Sequence, residues 1–154
     1  YQPTIEALAR SEGVADRVHF VGPVQGAAKG ALYRDAEVFL MPSYPENFGN
    51  VVLESLAMGC PVVITPEVGL APAVQEAGAG LVVPGEPAAI AAAVRGLLAD
   101  PAARARLGEA GRDLVASRYS WAAVAVQMER VYERVLAARG PRLGAAGLPA
   151  GAGH

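Results

Sequence analysis

Apolar residues recur along this chain in two rhythms, one helical and one of short continuous runs. Ile5, Leu8 and Ala9 fall at helical spacing and Gly13 interrupts them, so residues 4–12 are predicted to form a helix. Residues 18–21 predict a strand, residues 27–35 a short helix, and Val38-Phe39-Leu40-Met41 a second strand stopped by Pro42. Residues 50–58 carry Val51, Val52, Leu53, Leu56 and Ala57 around most of a helical circumference, which Gly59 terminates. Pro61-Val62-Val63-Ile64 is a β-branched run of the kind buried on both faces of a parallel sheet. A weaker helix is expected at 71–77 and a fourth strand at Leu81-Val82-Val83. Two helices follow, Pro87 to Ala99 and Pro101 to Ser117, the second with Asp100 as N-cap. Ser120 caps the last helix, whose stripe of Trp121, Val124, Met128, Val131, Tyr132, Val135 and Leu136 predicts a core or interface face.

Strand and helix alternate through short connections, so the strands should be parallel and joined by right-handed crossovers. The fold class expected is α/β, a Rossmann-like parallel sheet with flanking helices. Ligands of such sheets bind beyond the carboxyl ends of the strands, where Gly22-Pro23-Val24, residues 43–49, residues 65–70 and Pro84-Gly85-Glu86 gather. Residues 1–139 form the expected domain. The Gly/Ala/Pro remainder, 140–154, has no periodic apolar face and is expected to be a disordered tail.

Composition narrows the function classes. The 154 residues, 53% hydrophobic, suffice for one core. A net charge of −2 with scattered signs gives no basic stripe for nucleic acid, and Lys29 is the single lysine. No apolar run approaches the ~18 residues of a membrane span. One cysteine, Cys60, excludes an internal disulfide and fits a reducing compartment, so a cytoplasmic setting is expected. The chain opens on Tyr1 and enters a helix with no preceding strand, which reads as a fragment.

The chemistry concentrates in Pro45-Glu46-Asn47-Phe48-Gly49-Asn50-Val51-Val52-Leu53-Glu54, two acids separated by seven residues across a glycine turn and a helix start. Glu54 rides on an otherwise buried helix, and a buried carboxylate needs a partner. The free amides of Gly49, Asn50 and Val51 point out of the helix N-terminus, a place that favours phosphate. Anion donors flanked by two hydroxyl acceptors suit a nucleotide sugar. Acids are also common near helix N-termini simply because the dipole favours them. Other chemistry-bearing residues have plainer readings. His19 reads as a structural or edge histidine, Glu67 as a solvated acid and Cys60 as a small buried hydrophobe. Asp35-Ala36-Glu37 precedes a strand and so lies at the edge opposite the phosphate amides, and there is no Cys/His cluster, so neither metal nor cofactor is expected. No G-x-G-x-x-G stands between a strand and a helix.

The acid pair resembles the E-x7-E signature of retaining GT-B glycosyltransferases, in particular family 4. The resemblance extends in order through Asp16 to Gly22, Leu32 to Leu40, Ser43 to Gly49, Glu54 to Val63, Ala79 to Pro84 and Tyr119-Ser120-Trp121, covering roughly residues 4 to 138. It implies an incomplete C-terminal half of a GT-B fold, the part that binds the nucleotide-sugar donor. By this resemblance Glu46 contacts the donor hexose near the reacting carbon, Glu54 holds the ribose hydroxyls, the Phe48-Gly49-Asn50-Val51 backbone holds the diphosphate, and Gly22 and Val24 lie near the nucleobase. Thr65 to Leu70 departs from the Gly-Gly-Ile/Val-Pro-Glu loop common in the family, so family contacts are not carried onto it. The phosphate-binding Arg and Lys of the family, and the acceptor-binding N-terminal domain, would precede Tyr1. A nucleotide-sugar epimerase, a phosphorylase, or a non-catalytic nucleotide-binding or interaction module remain as alternatives with the same architecture.

Overall fold

A strand that reads Val62-Val63-Ile64 presents branched apolar side chains to both faces, so it is stable only where both faces are covered. The computed structural model, which describes residues 1–138, places this strand, β2 (Val62–Ile64), at the centre of a three-stranded sheet and buries all three residues. β1 (Phe39–Met41) and β3 (Gly80–Val82) flank it in parallel, with Phe39 opposite Val62 and Val62 opposite Gly80. The chain order of the helices is α1 (Gln2–Ser11), α2 (Gly26–Asp35), α3 (Asn50–Ala57), α4 (Ala71–Ala77), α5 (Pro87–Ala99), α6 (Pro101–Leu114) and α7 (Trp121–Ala138), with a single turn of 3-10 helix at Ala15–Arg17. The fold is therefore α/β with a parallel sheet, as the alternation of elements predicted. The core joins Val52 and Leu56 of α3 to Val62, Ile64, Val68, Leu70, Val74 and Leu114.

Two local signals act as the sequence suggested. The Asp100 carboxylate accepts from the Ala103 amide at 2.8 Å, and the Ser120 hydroxyl from the Ala123 amide at 3.2 Å, each satisfying an orphan donor of the helix that follows. Cys60 is buried, and that burial pushes its thiol above the ordinary value. Helix α6 stops at Leu114 rather than Ser117, because Val115–Tyr119 widens into a π turn before α7. The fork of Arg118 onto Glu76, at 3.0 and 2.8 Å, fastens that turn to α4 and holds the Glu76 carboxyl below its usual range.

Three expectations need correction or fall elsewhere. Residues 18–21 form no strand: their backbone joins no ladder, and Val18, Phe20 and Val21 are exposed, because a strand exists only with a neighbour to pair. Of the core or interface face expected of the α7 stripe, the core alternative does not hold, since Trp121, Tyr132 and Leu136 lie open. The tail expected at 140–154 lies outside the described residues. No helix among the described residues is long and apolar enough to cross a membrane.

Helices α3 and α6 meet across glycine. A Cβ on Gly108 would sit 2.2 Å from the Gly59 carbonyl oxygen, inside any real contact, whereas one on Gly96 of α5 would meet nothing within 4 Å. Gly108→Ala is expected to lower the unfolding free energy by about 1–3 kcal/mol through overpacking. Gly96→Ala should raise it by about 0.5–1 kcal/mol, since an exposed helical glycine gives way to the best helix former. Urea unfolding of the two variants checks the contrast, and equal effects would show that Gly108 of α6 does not pack closely on the Gly59 turn that follows α3.

Candidate functional site

The loops that leave the carboxyl ends of β1 and β2 are stitched together. The buried Thr65 hydroxyl donates to the Ser43 carbonyl at 2.7 Å, the Glu46 amide to the Glu67 carbonyl at 3.3 Å, and the Gly69 amide to the Glu46 carbonyl at 2.9 Å. Glu46 and Val68 thereby form an isolated parallel bridge. A Cβ on Gly69 would fall 2.1 Å from the Asn47 carbonyl oxygen, so the loops can close only over glycine. The segment 65–70, which departs in sequence from the family pattern, thus acts as the seat of the Glu46 loop, with the Glu67 side chain exposed.

Seated this way, the half-buried Glu46 carboxylate turns onto the start of α3. Its Oε1 accepts from the amides of Phe48 at 3.2 Å and Gly49 at 3.1 Å. The sequence offered the whole Phe48–Val51 backbone to a diphosphate. Two of those four donors are engaged by the chain's own carboxylate, because an acid four residues before the first helical residue is the nearest anion to the amides at that helix start. Asn50 and Val51, the first two helical residues, have no intrahelical carbonyl to bond. The Phe48 ring packs edge-on against Tyr119, centroids 6.1 Å apart, linking the loop to the π turn.

Glu54 lies four residues beyond Asn50, ~6 Å further along α3. It is not buried, as the apolar circumference suggested, but exposed. Val52, Ser55 and Leu56 take the core side, and Glu54, about 200° around from Val52, takes the open one. Its partners come from α2. Lys29 forms an ion pair with Glu54 Oε2, and the Tyr33 hydroxyl donates to the same oxygen at 3.2 Å. Lys29 and Tyr33 stand one turn apart on one helical face, which is why both reach one carboxylate. Burial, then the hydrogen bond and charge of Glu54, push the Tyr33 phenol up to about 12, so it stays protonated and donating at neutral pH.

Between α2 and α3 lies an open cleft of about 450 Å³. Gly26, Lys29, Gly30 and Tyr33 of α2 line it together with Val24 and Gln25, and Glu54, Ala57 and Met58 line it from α3 and its end. Of the residues singled out from sequence, Val24 and Glu54 meet in this cleft. Gly22 is an exposed turn glycine outside its lining, and Glu46 through Val51 stand at the N-terminal end of the same helix. Lys29 and Tyr33 are the residues that sequence reasoning missed. Their i, i+4 spacing was visible, but nothing in it revealed that α2 packs on the Glu54 face of α3. Glu37 is held by Arg104 at 2.6 Å, His19 is exposed, and no cluster of three or more His, Cys, Asp or Glu residues is found among the described residues.

Because the Tyr33 phenol ionises near 10 in the unfolded chain and near 12 in the fold, the folded state loses stability as pH rises through that window. Tyr33→Phe is expected to flatten the fall in melting temperature between pH 10 and 12. Parallel falls in the two proteins would contradict the Tyr33–Glu54 contact.

Comparison with known proteins gives a consistent picture. A family model described as glycosyl transferases group 1 matches residues 1–100. The D-inositol 3-phosphate glycosyltransferase 2 of Catenulispora acidiphila is 42% identical over 137 residues, covering 86% of this chain and 31% of that protein. Among solved structures, the sucrose-phosphate synthase of Thermosynechococcus elongatus is 39% identical with a TM-score of 0.77, covering 87% of this chain and 34% of that one. Anabaena HepE, solved in complex with UDP, shares the fold at 22% identity and a TM-score of 0.74, covering 90% of this chain and 37% of that one. The chain spans about a third of the length of the relatives it matches, and it belongs to the group 1 glycosyl transferases.

Proposed function

We propose that this chain is the donor-binding part of a retaining glycosyltransferase that moves a hexose from a nucleoside diphosphate sugar to an acceptor hydroxyl. The observation that carries the reading is the α3 end. A carboxylate already rests on the Phe48 and Gly49 amides, which marks that helix start as a place where negative charge is stabilised, and Glu54 opens into a cleft one turn further on. A diphosphate beside Asn50 and Val51 would then have a sugar-facing acid, Glu46, at one end and a ribose-facing acid, Glu54, at the other.

In this reading no protein nucleophile is needed. The incoming hydroxyl attacks the anomeric carbon on the face from which the phosphate leaves, its proton passing to a leaving-phosphate oxygen, while the amides stabilise the charge that develops there. Glu46 orients the hexose and eases positive charge at the anomeric carbon. The acceptor site and the cations that the diphosphate requires belong, in this proposal, to parts of the protein outside this chain. A cytoplasmic setting belongs to the same reading and rests on the lone buried thiol.

Two substitutions in the whole protein that carries this chain test the division of labour. Glu54→Ala should weaken donor binding by about 1.5–3 kcal/mol for each ribose hydrogen bond lost, since the partner is charged. Unchanged affinity in titration calorimetry would refute the ribose role. Glu46→Gln keeps a carbonyl oxygen for the Phe48 and Gly49 amides, so the loop should hold its shape. Turnover is expected to fall well below the wild type while affinity for the free nucleoside diphosphate, which lacks the sugar, stays the same or rises. Equal losses in both measurements would remove Glu46 from the sugar.

A further inference from the structure

The Glu54 carboxylate is unevenly used. Lys29 and the Tyr33 hydroxyl both engage Oε2, the latter at 3.2 Å, whereas Oε1 has no hydrogen bond among the described residues. Lys29 in turn has three N–H donors and spends one on Glu54. Side-chain exposures of 34% for Lys29 and 45% for Glu54 leave this pair open to the cleft and of little account for stability. Among the described residues these two are the sole charged side chains lining the cleft, so the lining is neutral overall and does not select phosphate.

A neutral lining with one free acceptor and spare donors matches a group that both gives and takes hydrogen bonds. Hydroxyls do both, and a carboxylate alone can serve only their protons. We propose that Lys29 is a specificity-determining residue for the nucleoside end of the donor, its ammonium donating to a ribose hydroxyl oxygen while Glu54 Oε1 accepts the hydroxyl protons of the diol. Tyr33 holds Glu54 through Oε2, which leaves Oε1 for the ligand. Gly26 and Gly30, which add no side chain beside Lys29, leave the ammonium room to reach the sugar. The cleft, about 450 Å³, lies within the ~300–1,000 Å³ usual for small-molecule sites. This inference rests on the donor-binding reading of Glu54 and adds a second recognition group to it.

The test is a ratio of affinities in the whole protein that carries this chain, measured by calorimetry for UDP, ADP and GDP and for their 2′,3′-dideoxy analogues. With the best-bound nucleotide, the wild type should prefer the ribose form at least tenfold. Lys29→Met should cut that preference to about threefold or less, with the ribonucleotide weakened and the dideoxy analogue little changed, and Lys29→Arg should restore most of it. A merely structural ion pair would move the melting temperature and leave the ratio alone. An unchanged or larger ratio in Lys29→Met, where Glu54 has lost its competitor, overturns the role of Lys29 and leaves that of Glu54 standing. No nucleotide binding by the wild type, or none that depends on Glu54, overturns both.

Discussion

The rest of this structure depends on the burial of one three-residue strand on both of its faces. Val62, Val63 and Ile64 expose no appreciable surface, so helices must cover them on either side and strands must pair on either edge. That demand brings α3 against the sheet through Val52 and Leu56, and the small side of α6 against α3 through Gly108 and Gly111, where a Cβ on Gly111 would reach 2.8 Å from a Leu56 methyl. Once α3 is clamped, its N-terminus and its open stripe have fixed positions. The candidate site is built from those two features.

The start of α3 is set by the loop seam as much as by the helix itself. The bridge between Glu46 and Val68 and the close pass of Gly69 under Asn47 bring Glu46 to the orphan amides of Phe48 and Gly49. A carboxylate so placed holds the loop at the helix start and stands beside the position of any incoming anion, so one residue serves as loop anchor and as candidate sugar contact. The arrangement on the open stripe has the same economy. Lys29 and Tyr33 hold the Glu54 carboxylate through one oxygen and leave the other for a ligand.

Local pattern is a weaker guide where a segment needs a distant partner. Residues 18–21 have the composition of a strand and lie unpaired, and β1 at the sheet edge leaves Leu40 exposed. The α7 stripe has the period of a core face and carries Trp121 and Leu136 on open surface. Periodicity reports which side chains share a face and is silent on what meets that face.

The sequence by itself determined most of the element types and limits: α4 and α5 fall where the proline, glycine and apolar spacings put them, and β2 is as buried as its unbroken β-branched run demanded. It also determined the acid spacing, the glycine turn between the acids and the family, because these are properties of consecutive residues. Only the tertiary structure decided that Glu54 faces the open cleft, that Lys29 and Tyr33 are its partners from 25 and 21 positions upstream, and that Glu46 accepts from the Phe48 and Gly49 amides at the start of the helix it precedes. Those outcomes turn on how α2 lies against α3 and how two loops close over Gly69. Both are matters of packing between distant segments, which propensity and spacing along the chain do not encode.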